Sequence, residues 1–460
     1  MIEKNEAVHD AMHEDLERGL EERHIQLMAL GGAIGVGLFL GSASAIKTAG
    51  PSLLLAYAIG GFILFIIVRA LGEMAVEHPI SGSFSAYAYE FIGPLAGYLT
   101  GWTYWFTWVV TCMAETTAVG VYINFWFPGV PQWLSAFVCV IALTVVNLTA
   151  VKAFGEFEFW FALIKVVTII VMIAVGLVMI ITGLGNNGVP IGISNLWSHG
   201  GFFPNGIGGP IKALVMVTFA FLGVELIGVT AGEAKNPDKT IPAAINKVFW
   251  RVLIFYVGAL FVIMSIYPWN EIGTKGSPFV MTFAKLGIAA AAGIINFVVL
   301  TAAASSCNSG IFTTGRMLYN LSLQGKAPKL FSTLSKSSVP SKGILFSAAM
   351  MLIGVILNFV VPAEAFNYVT SVATFGGLFV WFIILWSQMN FRKTLSPEQV
   401  KNLKFPVLGF PYLNYVALAF LAFVLIVMFT NPGNRVAVLV GIPWLIILTA
   451  VYYMAGYNKN

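Results

Sequence analysis

The amino-acid sequence predicts an all-α polytopic membrane protein, and three observations carry that prediction. The chain of 460 residues is 58% hydrophobic and only 10% charged, whereas a soluble domain carries about 25% charged residues. Its mean hydropathy is +0.86. Apolar stretches of roughly 20 residues, the length that crosses the hydrocarbon core as a helix, recur along almost the whole chain.

We expect twelve transmembrane helices, taken in order along the chain. Their approximate limits are 26–48, 51–75, 97–127, 131–150, 158–182, 211–231, 247–268, 279–305, 342–361, 365–390, 411–430 and 435–456. Each is long and apolar enough to satisfy its own backbone groups inside a bilayer.

Basic residues set the orientation, because Lys and Arg favour the cytoplasmic side of a membrane. With the N-terminus inside, the inner loops hold Arg69, Lys152, Lys235, Lys239, Lys247, Arg251, Arg316, Lys326, Lys329, Lys336, Lys342, Arg392, Lys393, Lys401 and Lys404. The outer side holds only Lys47, Lys212, Lys275, Lys285 and Arg435. We therefore expect a multi-pass protein of the cell membrane with both termini in the cytoplasm.

The spans group into two units of opposite orientation. The predicted segments are a cytoplasmic N-terminal segment with a short amphipathic helix (1–25), a first five-span unit (26–182), an extracellular connection rich in Gly, Asn and Pro (183–210), a second five-span unit (211–390), a cytoplasmic loop (391–410), a two-span hairpin (411–456) and a cytoplasmic tail (457–460). The first unit starts inside and the second starts outside, so the two are inverted relative to each other.

Two glycine-containing interruptions lie in corresponding spans of these units. The first spans residues 31–37 and reads GGAIGVG; the second spans 219–225 and reads FAFLGVE. A helix that faces lipid has no reason to break, since freed backbone groups are costly in hydrocarbon. Matching breaks in inverted units indicate a transporter that binds its substrate near the bilayer midplane. Tight helix packing through small residues is the alternative for the first run taken alone.

The chemistry of such breaks suits a zwitterion. The N-terminus of the half-helix beyond the first break offers free N–H groups and a positive dipole end to a carboxylate. Carbonyl groups at the end of a broken half-helix suit an ammonium group. An α-amino acid presents both charges.

Four motifs carry a resemblance to a known family. They are GAIGVGLF at 32–39, GWTYWF at 101–106, FGEFEFWF at 154–161 and GVELIGVTAGEA at 223–234. Together they resemble the bacterial amino acid transporter (amino acid permease) family of the amino acid–polyamine–organocation superfamily. The resemblance implies the leucine-transporter fold, with two inverted five-helix repeats followed by two C-terminal helices. It also implies proton-coupled amino acid uptake by alternating access.

The resemblance and the breaks together give a set of substrate-binding candidates. They are Ala33, Ile34, Gly35, Val36, Gly37, Phe219, Ala220, Phe221, Gly223 and Glu225. By position, residues 34–37 would hold the carboxylate, while Phe219, Ala220 and Glu225 would lie at the amino group. Phe219 matches an aromatic gate of the family, and Tyr104 is a second gate candidate.

Three ionisable residues lie deep in apolar spans and are candidates for proton coupling, because buried charge is expensive. They are Lys165, Glu115 and Glu225. The resemblance implies that Lys165 takes the place of a sodium ion and bridges span-one carbonyls and a span-eight hydroxyl, Ser305 or Ser306. Lys165 could instead be a lysine of the inner interface, Glu115 a neutral carboxyl that bonds between helices, and Glu225 a cap on freed amides.

Other charged residues and missing motifs bound the function. Arg69 and Glu73, at the inner end of the second span, are interpreted as a surface pair rather than a gate. The sequence has no P-loop, no metal-ligand spacing and no nucleophile–base constellation, so we expect neither an ATPase nor an enzyme, no metal site and no catalytic residue. We expect a proton gradient rather than a cofactor, a lipid bilayer and an amino acid as partners, and no nucleic acid. Nothing in the sequence gives the oligomeric state.

The polar residues of the spans also narrow the substrate. No acidic residue lies in the middle of spans eight or ten, which argues against Arg or Lys as cargo, and no mid-membrane Arg is present to pair with Glu. We therefore expect a small neutral amino acid of the Ala, Ser, Gly, Thr and Pro class. The alternatives are an amino acid exchanger, a sodium-coupled carrier, which Lys165 argues against, and a sensor that binds without transport.

Overall fold

The computed structural model describes residues 34–79, 83–149, 151–229, 237–272, 276–284, 289–335 and 338–457. Within these ranges the chain forms helices and no β-strand, which confirms the all-α prediction. The amphipathic helix expected in segment 1–25 and the candidate Ala33 lie outside the described residues.

The α-helices of the described residues are numbered in chain order. They are α1 (Val36–Phe39), α2 (Gly41–Ala49), α3 (Leu53–Glu77), α4 (Ser83–Phe91), α5 (Pro94–Ile123), α6 (Gln132–Thr149), α7 (Val151–Thr182), α8 (Gly208–Ala220), α9 (Leu226–Val229), α10 (Pro237–Arg251), α11 (Ala259–Ile266), α12 (Pro278–Ala284), α13 (Ala289–Leu323), α14 (Ser341–Val360), α15 (Ala365–Thr394), α16 (Pro397–Lys401), α17 (Tyr412–Thr430) and α18 (Arg435–Met454). A π-helical segment, Val252–Gly258, joins α10 to α11.

Ten helical stretches of the described chain are long and apolar enough to cross a membrane, as a polytopic membrane protein requires. One of them, Gly41–Glu77, has 37 residues and contains both α2 and α3. A straight helix of that length would span about 55 Å, nearly twice the ~30 Å hydrocarbon core. A 3₁₀ turn at Gly50–Ser52 separates its two helices, and Gly50 there adopts a positive φ of 61°. The count of twelve spans and the inverted repeat stay predictions.

Several helix limits differ from the expected spans. Helix α7 begins at Val151 rather than near 158, and α13 covers Ala289–Leu323 where 279–305 was expected. The start of that expected span forms the separate short helix α12. Both helices extend through polar and charged residues, such as Glu156 in α7 and Arg316 in α13, so the limits of the apolar stretches do not mark the helix ends. The connection 183–207 is irregular apart from one 3₁₀ turn, Ser194–Leu196, as its Gly and Pro content predicted.

Helices α5 and α15 form the centre of the bundle. Their most apolar windows are 83% buried inside the protein, whereas those of α6 and α18 are 28% buried. Helix α5 packs along both α13 and α15, while α8 packs on α2 and α3. These two helices are therefore the most deeply buried of the long apolar helices in the described chain.

A buried network of charged and polar side chains connects the helices at the end of the bundle that is predicted to face the cytoplasm. Arg392 of α15 donates through Nε and Nη2 to the two carboxylate oxygens of Glu73, both at 2.6 Å. The Val407 amide and the Gln388 side chain also donate to this carboxylate. Arg69 instead donates to the Pro406 carbonyl at 2.8 Å. The expected surface pair is therefore wrong: Glu73 is fully buried, and its ion-pair partner comes from a helix distant in sequence.

Candidate functional site

The first break lies immediately before α1. Ile34 and Gly35 are outside any helix, and Gly35 has an extended backbone (φ −117°, ψ −163°) that starts the helix without a side-chain cap. The next residues continue almost without interruption into α2, because Leu40 between the two helices keeps helical angles. The positive end of this half-helix therefore begins at Val36, inside the bundle.

The second break follows α8. Residues 221–225 form turns, and Gly223 adopts φ +94°, a conformation that favours glycine. The Tyr256 hydroxyl donates to the Ala220 carbonyl at 2.9 Å, which satisfies one acceptor that the end of α8 leaves free. The hydroxyl of Tyr256 thus reduces the number of unpaired backbone groups at the break. Glu225 lies at the end of the break that is farther from α8.

The two breaks touch each other. A Cβ at Gly37 would lie 2.6 Å from the Ala220 Cα and 3.1 Å from Cδ1 of Phe219. Only glycine fits this approach without a shift of backbone. The two breaks, which the sequence predicts to contribute to one site, therefore lie in contact, and their role in binding stays a prediction.

A small cavity lies where the breaks meet. Its walls are Gly35, Gly37, Thr107, Trp108, Thr111, Glu115, Phe219, Ala220, Leu222, Gly223, Glu225 and Ser306. Its free volume is about 20 Å³, which holds about one water molecule. The cavity is therefore too small for an amino acid, and a substrate of that size needs the walls to separate.

The side chain of Glu115, on α5, lies against the first break. Its carboxyl group faces the Ser306 hydroxyl and the Val36 amide, and it interacts electrostatically with Lys165. Both Glu115 and Lys165 are 2% exposed. The second carboxyl oxygen, Oε2, is buried and accepts no hydrogen bond from the described residues. The predicted proton-coupling residues Glu115 and Lys165 and the predicted lysine partner Ser306 therefore lie together; Ser305 is buried beside Ser306 on α13.

Glu225 belongs to the second break. Its carboxylate accepts the Gly223 amide at 3.1 Å and the Trp381 indole N–H of α15 at 3.2 Å. No cation among the described residues pairs with this carboxylate. Tyr104 faces Glu225 and Trp108, although its hydroxyl forms no well-aligned hydrogen bond within the described chain. One buried carboxyl group thus lies beside each break.

The remaining predicted substrate-binding residues differ in whether they line the cavity. Phe219 lines the cavity and meets Phe366 edge-on, with ring centroids 6.5 Å apart. Phe221 does not line it; its ring packs between Tyr57 and Tyr256. Ile34 and Val36 are fully buried outside the cavity wall.

Sequence reasoning missed the contribution of α5 beyond Glu115 and Tyr104. Thr107, Trp108 and Thr111 line the cavity. The spacing of Thr107, Thr111 and Glu115 at intervals of four residues puts them on one face of the helix. A polar stripe in an otherwise apolar span was the signal that could have identified them.

Comparison with known proteins gives matches over nearly the whole chain. The family model described as "Amino acid permease" matches residues 24–459. The "Uncharacterized amino acid permease YtnA" of Bacillus subtilis (strain 168) is 63% identical over 447 residues, which cover 97% of this chain and 96% of that protein. The "Probable threonine/serine transporter YbxG" of the same organism is 51% identical and covers 97% of both chains. The "Aromatic amino acid transport protein AroP" of Escherichia coli O6:H1 is 46% identical over 95% of this chain and 96% of that protein.

Proposed function

This chain belongs to the amino acid permease family, and from that premise we propose that it imports a small neutral amino acid together with protons by alternating access. The membership also confirms that the protein is a multi-pass membrane permease and not an enzyme, since its relatives are described as permeases and transporters. The coupling ion and the substrate class are the proposed part.

One observation carries the proposal: a buried carboxyl group lies against each of the two touching helix breaks. Glu115 faces the Val36 amide at the start of α1, and Glu225 accepts a hydrogen bond from the Gly223 amide. The first break offers a positive helix end and the second an unpaired carboxylate. A zwitterionic amino acid matches this polarity, with its carboxylate toward Gly35–Gly37 and its ammonium group toward Glu225.

Coupling between proton entry and amino acid entry follows from the charges at the first break. A substrate carboxylate near Val36 would meet Glu115, whose Oε1 lies within 2.7 Å of the position a Cβ of Gly35 would take. Two carboxylates at that separation repel each other, so substrate and Glu115 are compatible when Glu115 carries a proton. The free Oε2 provides the place for that proton. One proton therefore enters with one amino acid.

Lys165 influences whether Glu115 is protonated. Without substrate its ammonium group stabilises an ionised Glu115, and with substrate it balances the added carboxylate. The resemblance to the family implies that an ammonium group at this position takes the place of the cation in a sodium-coupled carrier. We therefore rank the proton above sodium as the coupling ion.

The small size of the central cavity favours a small substrate. With about 20 Å³ of free space between Phe219 and the threonines of α5, each added side-chain carbon requires further opening. The relative named as a probable threonine/serine transporter agrees with a small cargo, while the relative named for aromatic amino acids makes a large apolar cargo the competing candidate.

Uptake by the purified protein in liposomes tests the proposal. Labelled Ala, Ser, Gly, Thr, Pro, Phe and Arg are offered with an inward proton gradient, with an inward sodium gradient and with neither. We expect accumulation of one or more small neutral amino acids that depends on the proton gradient and is abolished by a protonophore.

Three results would redirect the assignment. Accumulation driven by sodium alone would contradict proton coupling. Exchange of internal for external amino acid without accumulation under any gradient would favour an exchanger. Binding without flux of any kind would favour a sensor.

A further inference from the structure

A tyrosine on the same helix as Glu115 lies nearer the end of the bundle that is predicted to face outside. Tyr122 is close to the end of α5, seven residues and about 10 Å of helix beyond Glu115. Seven residues are close to two full helical turns, so both side chains project from one face of α5. Ala118 and Val119, which lie between them on this face, have short side chains. Long side chains on a helix lean toward its N-terminus, which for Tyr122 is the direction of Glu115.

The hydroxyl group of Tyr122 is buried without a hydrogen-bond partner. The residue is 1% exposed, and its hydroxyl group bonds to no other group of the described chain. It interacts electrostatically with Glu115, whose Oε2 is also buried and unpaired among the described residues. Buried polar groups normally have a partner, because an unpaired one has given up its bonds to water. A hydroxyl group in this position therefore indicates a role in moving a proton rather than in holding the fold.

Tyr122 also lies close to the surface of the protein. Residues 125–129, which follow α5, are exposed. The side-chain oxygen of Asn124, at the end of α5, is buried and has no hydrogen-bond partner among the described residues. The side-chain amide of Asn296, from α13, donates to the Tyr122 carbonyl at 2.8 Å. Polar groups therefore continue from Glu115 past Tyr122 to the exposed loop.

Three other titratable groups interact with Glu115, and they come from three other helices. They are Lys165 of α7, Cys139 of α6 and Cys307 of α13. An ammonium group only donates hydrogen bonds and a thiol does so weakly, whereas a phenolic hydroxyl group both donates and accepts. Tyr122 is not part of the wall of the central cavity. A proton that reaches Glu115 through Tyr122 therefore avoids the space that the amino acid enters.

We propose that Tyr122 passes protons from the outer side of the membrane to Glu115, by a path separate from that of the amino acid. The inference rests on the proposed function. The hydroxyl oxygen accepts a proton from a hydronium ion while its own proton passes to Oε2 of Glu115. The hydronium ion becomes water, the hydroxyl group is restored and the carboxylate becomes neutral. Because this path avoids the central cavity, Glu115 receives its proton while that cavity is still too small for an amino acid.

The test compares Tyr122→Phe with Tyr57→Phe in the full-length protein. Tyr57 of α3 is also buried, and its hydroxyl group also bonds to no group of the described chain. Its ring instead packs against Phe221 and Tyr256. Each substitution removes one buried hydroxyl group and keeps the aromatic ring, so the two variants differ in which hydroxyl group is lost.

Proteoliposomes that contain a pH-sensitive dye report proton entry, and a labelled amino acid reports substrate entry in the same preparation. The probe is whichever of Ala, Ser, Gly, Thr and Pro the wild type takes up fastest. Initial rates are measured for proton-driven uptake and for exchange of internal for external amino acid. Size-exclusion chromatography checks that each variant is folded, and Tyr122→Met replaces Tyr122→Phe if the latter is not.

We expect Tyr122→Phe to slow acidification and proton-driven uptake together, on the order of tenfold. A positioned group contributes roughly 10²-fold or more to a proton-transfer step, but that step is only one part of the transport cycle. Exchange should be unchanged, because the proton stays on Glu115 throughout an exchange cycle, and Tyr57→Phe should match the wild type in both assays.

Wild-type acidification and uptake by Tyr122→Phe would overturn the proton path and leave the proposed function intact. An equal loss of uptake and exchange in Tyr122→Phe would overturn the path too, since that result indicates a structural role. Amino acid uptake without acidification in the wild type would overturn proton coupling, and the path with it.

Discussion

Gly37 at the first break lies directly against Ala220 at the second, so close that a Cβ at Gly37 would stand 2.6 Å from the Ala220 Cα. This contact joins the two half-helix ends at one point inside the bundle. It also explains why the first break needs glycine at this position, beyond any freedom of φ and ψ. Movement of either half-helix relative to the other therefore changes this contact.

Substitution at the contact should impair transport. We expect Gly37→Ala to lower the uptake rate on the order of tenfold, because overpacking against backbone costs about 1–3 kcal/mol. Gly208→Ala, at the first residue of α8, is the matched control, since a Cβ there would meet nothing within 4 Å. Initial rates in proteoliposomes with equal protein content give the comparison. Normal uptake by Gly37→Ala would show that the breaks do not need this approach.

Glu225 should stabilise the second break. In Glu225→Ala the buried amide of Gly223 and the indole of Trp381 lose their acceptor, which costs about 1–3 kcal/mol for each group left unpaired. We expect a lower unfolding temperature in detergent micelles. Trp381→Phe should give a smaller decrease, and Trp386→Phe, an exposed tryptophan of the same helix, should give none. A wild-type unfolding temperature for Glu225→Ala would refute the capping role.

Lys165 should be needed for accumulation but not for exchange. Lys165→Ala leaves Glu115 without the cation that stabilises its ionised form, so proton release on the inner side becomes unfavourable. We expect proton-driven accumulation to disappear while exchange of internal for external amino acid persists in part. Lys342→Ala, an exposed lysine at the start of α14, controls for loss of charge. Undiminished accumulation in Lys165→Ala would exclude Lys165 from coupling.

The ion pair of Glu73 and Arg392 should be structural. Removal of either partner leaves a buried charge, and we expect Glu73→Gln or Arg392→Ala to cost about 3–5 kcal/mol of stability. The exposed pair of Lys404 and Asp238 provides the comparison, because Lys404→Gln should leave the unfolding temperature unchanged. Fluorescence-detected thermal unfolding measures both. Equal effects of the two disruptions would contradict the importance assigned to burial.

The sequence predicted the features that depend on local composition. Gly35, Gly37 and Gly223 were identifiable because a polar or flexible residue inside an apolar span has few structural explanations. Glu115 and Lys165 were identifiable for the same reason, since isolated charges in apolar spans are expensive.

Pairings across the bundle could not be predicted in the same way. Glu73 and Arg392 are 319 residues apart, and Glu225 and Trp381 are 156 apart, so no spacing rule relates them. The packing of Phe221 against Tyr57 and Tyr256 instead of the cavity could not be predicted either, because the side on which a ring packs depends on the neighbouring helices.

We propose that a proton on Glu115 enters with each amino acid. This proposal is tested most directly by a pH-sensitive dye trapped in proteoliposomes that have no imposed gradient. Addition of a transported amino acid should acidify the lumen with the wild type and with Glu364→Gln, an exposed carboxyl control on the same protein. Glu115→Gln should exchange amino acid without any acidification. Amino acid entry without proton entry in the wild type would contradict proton coupling. Wild-type acidification by Glu115→Gln would show that Glu115 does not carry the proton.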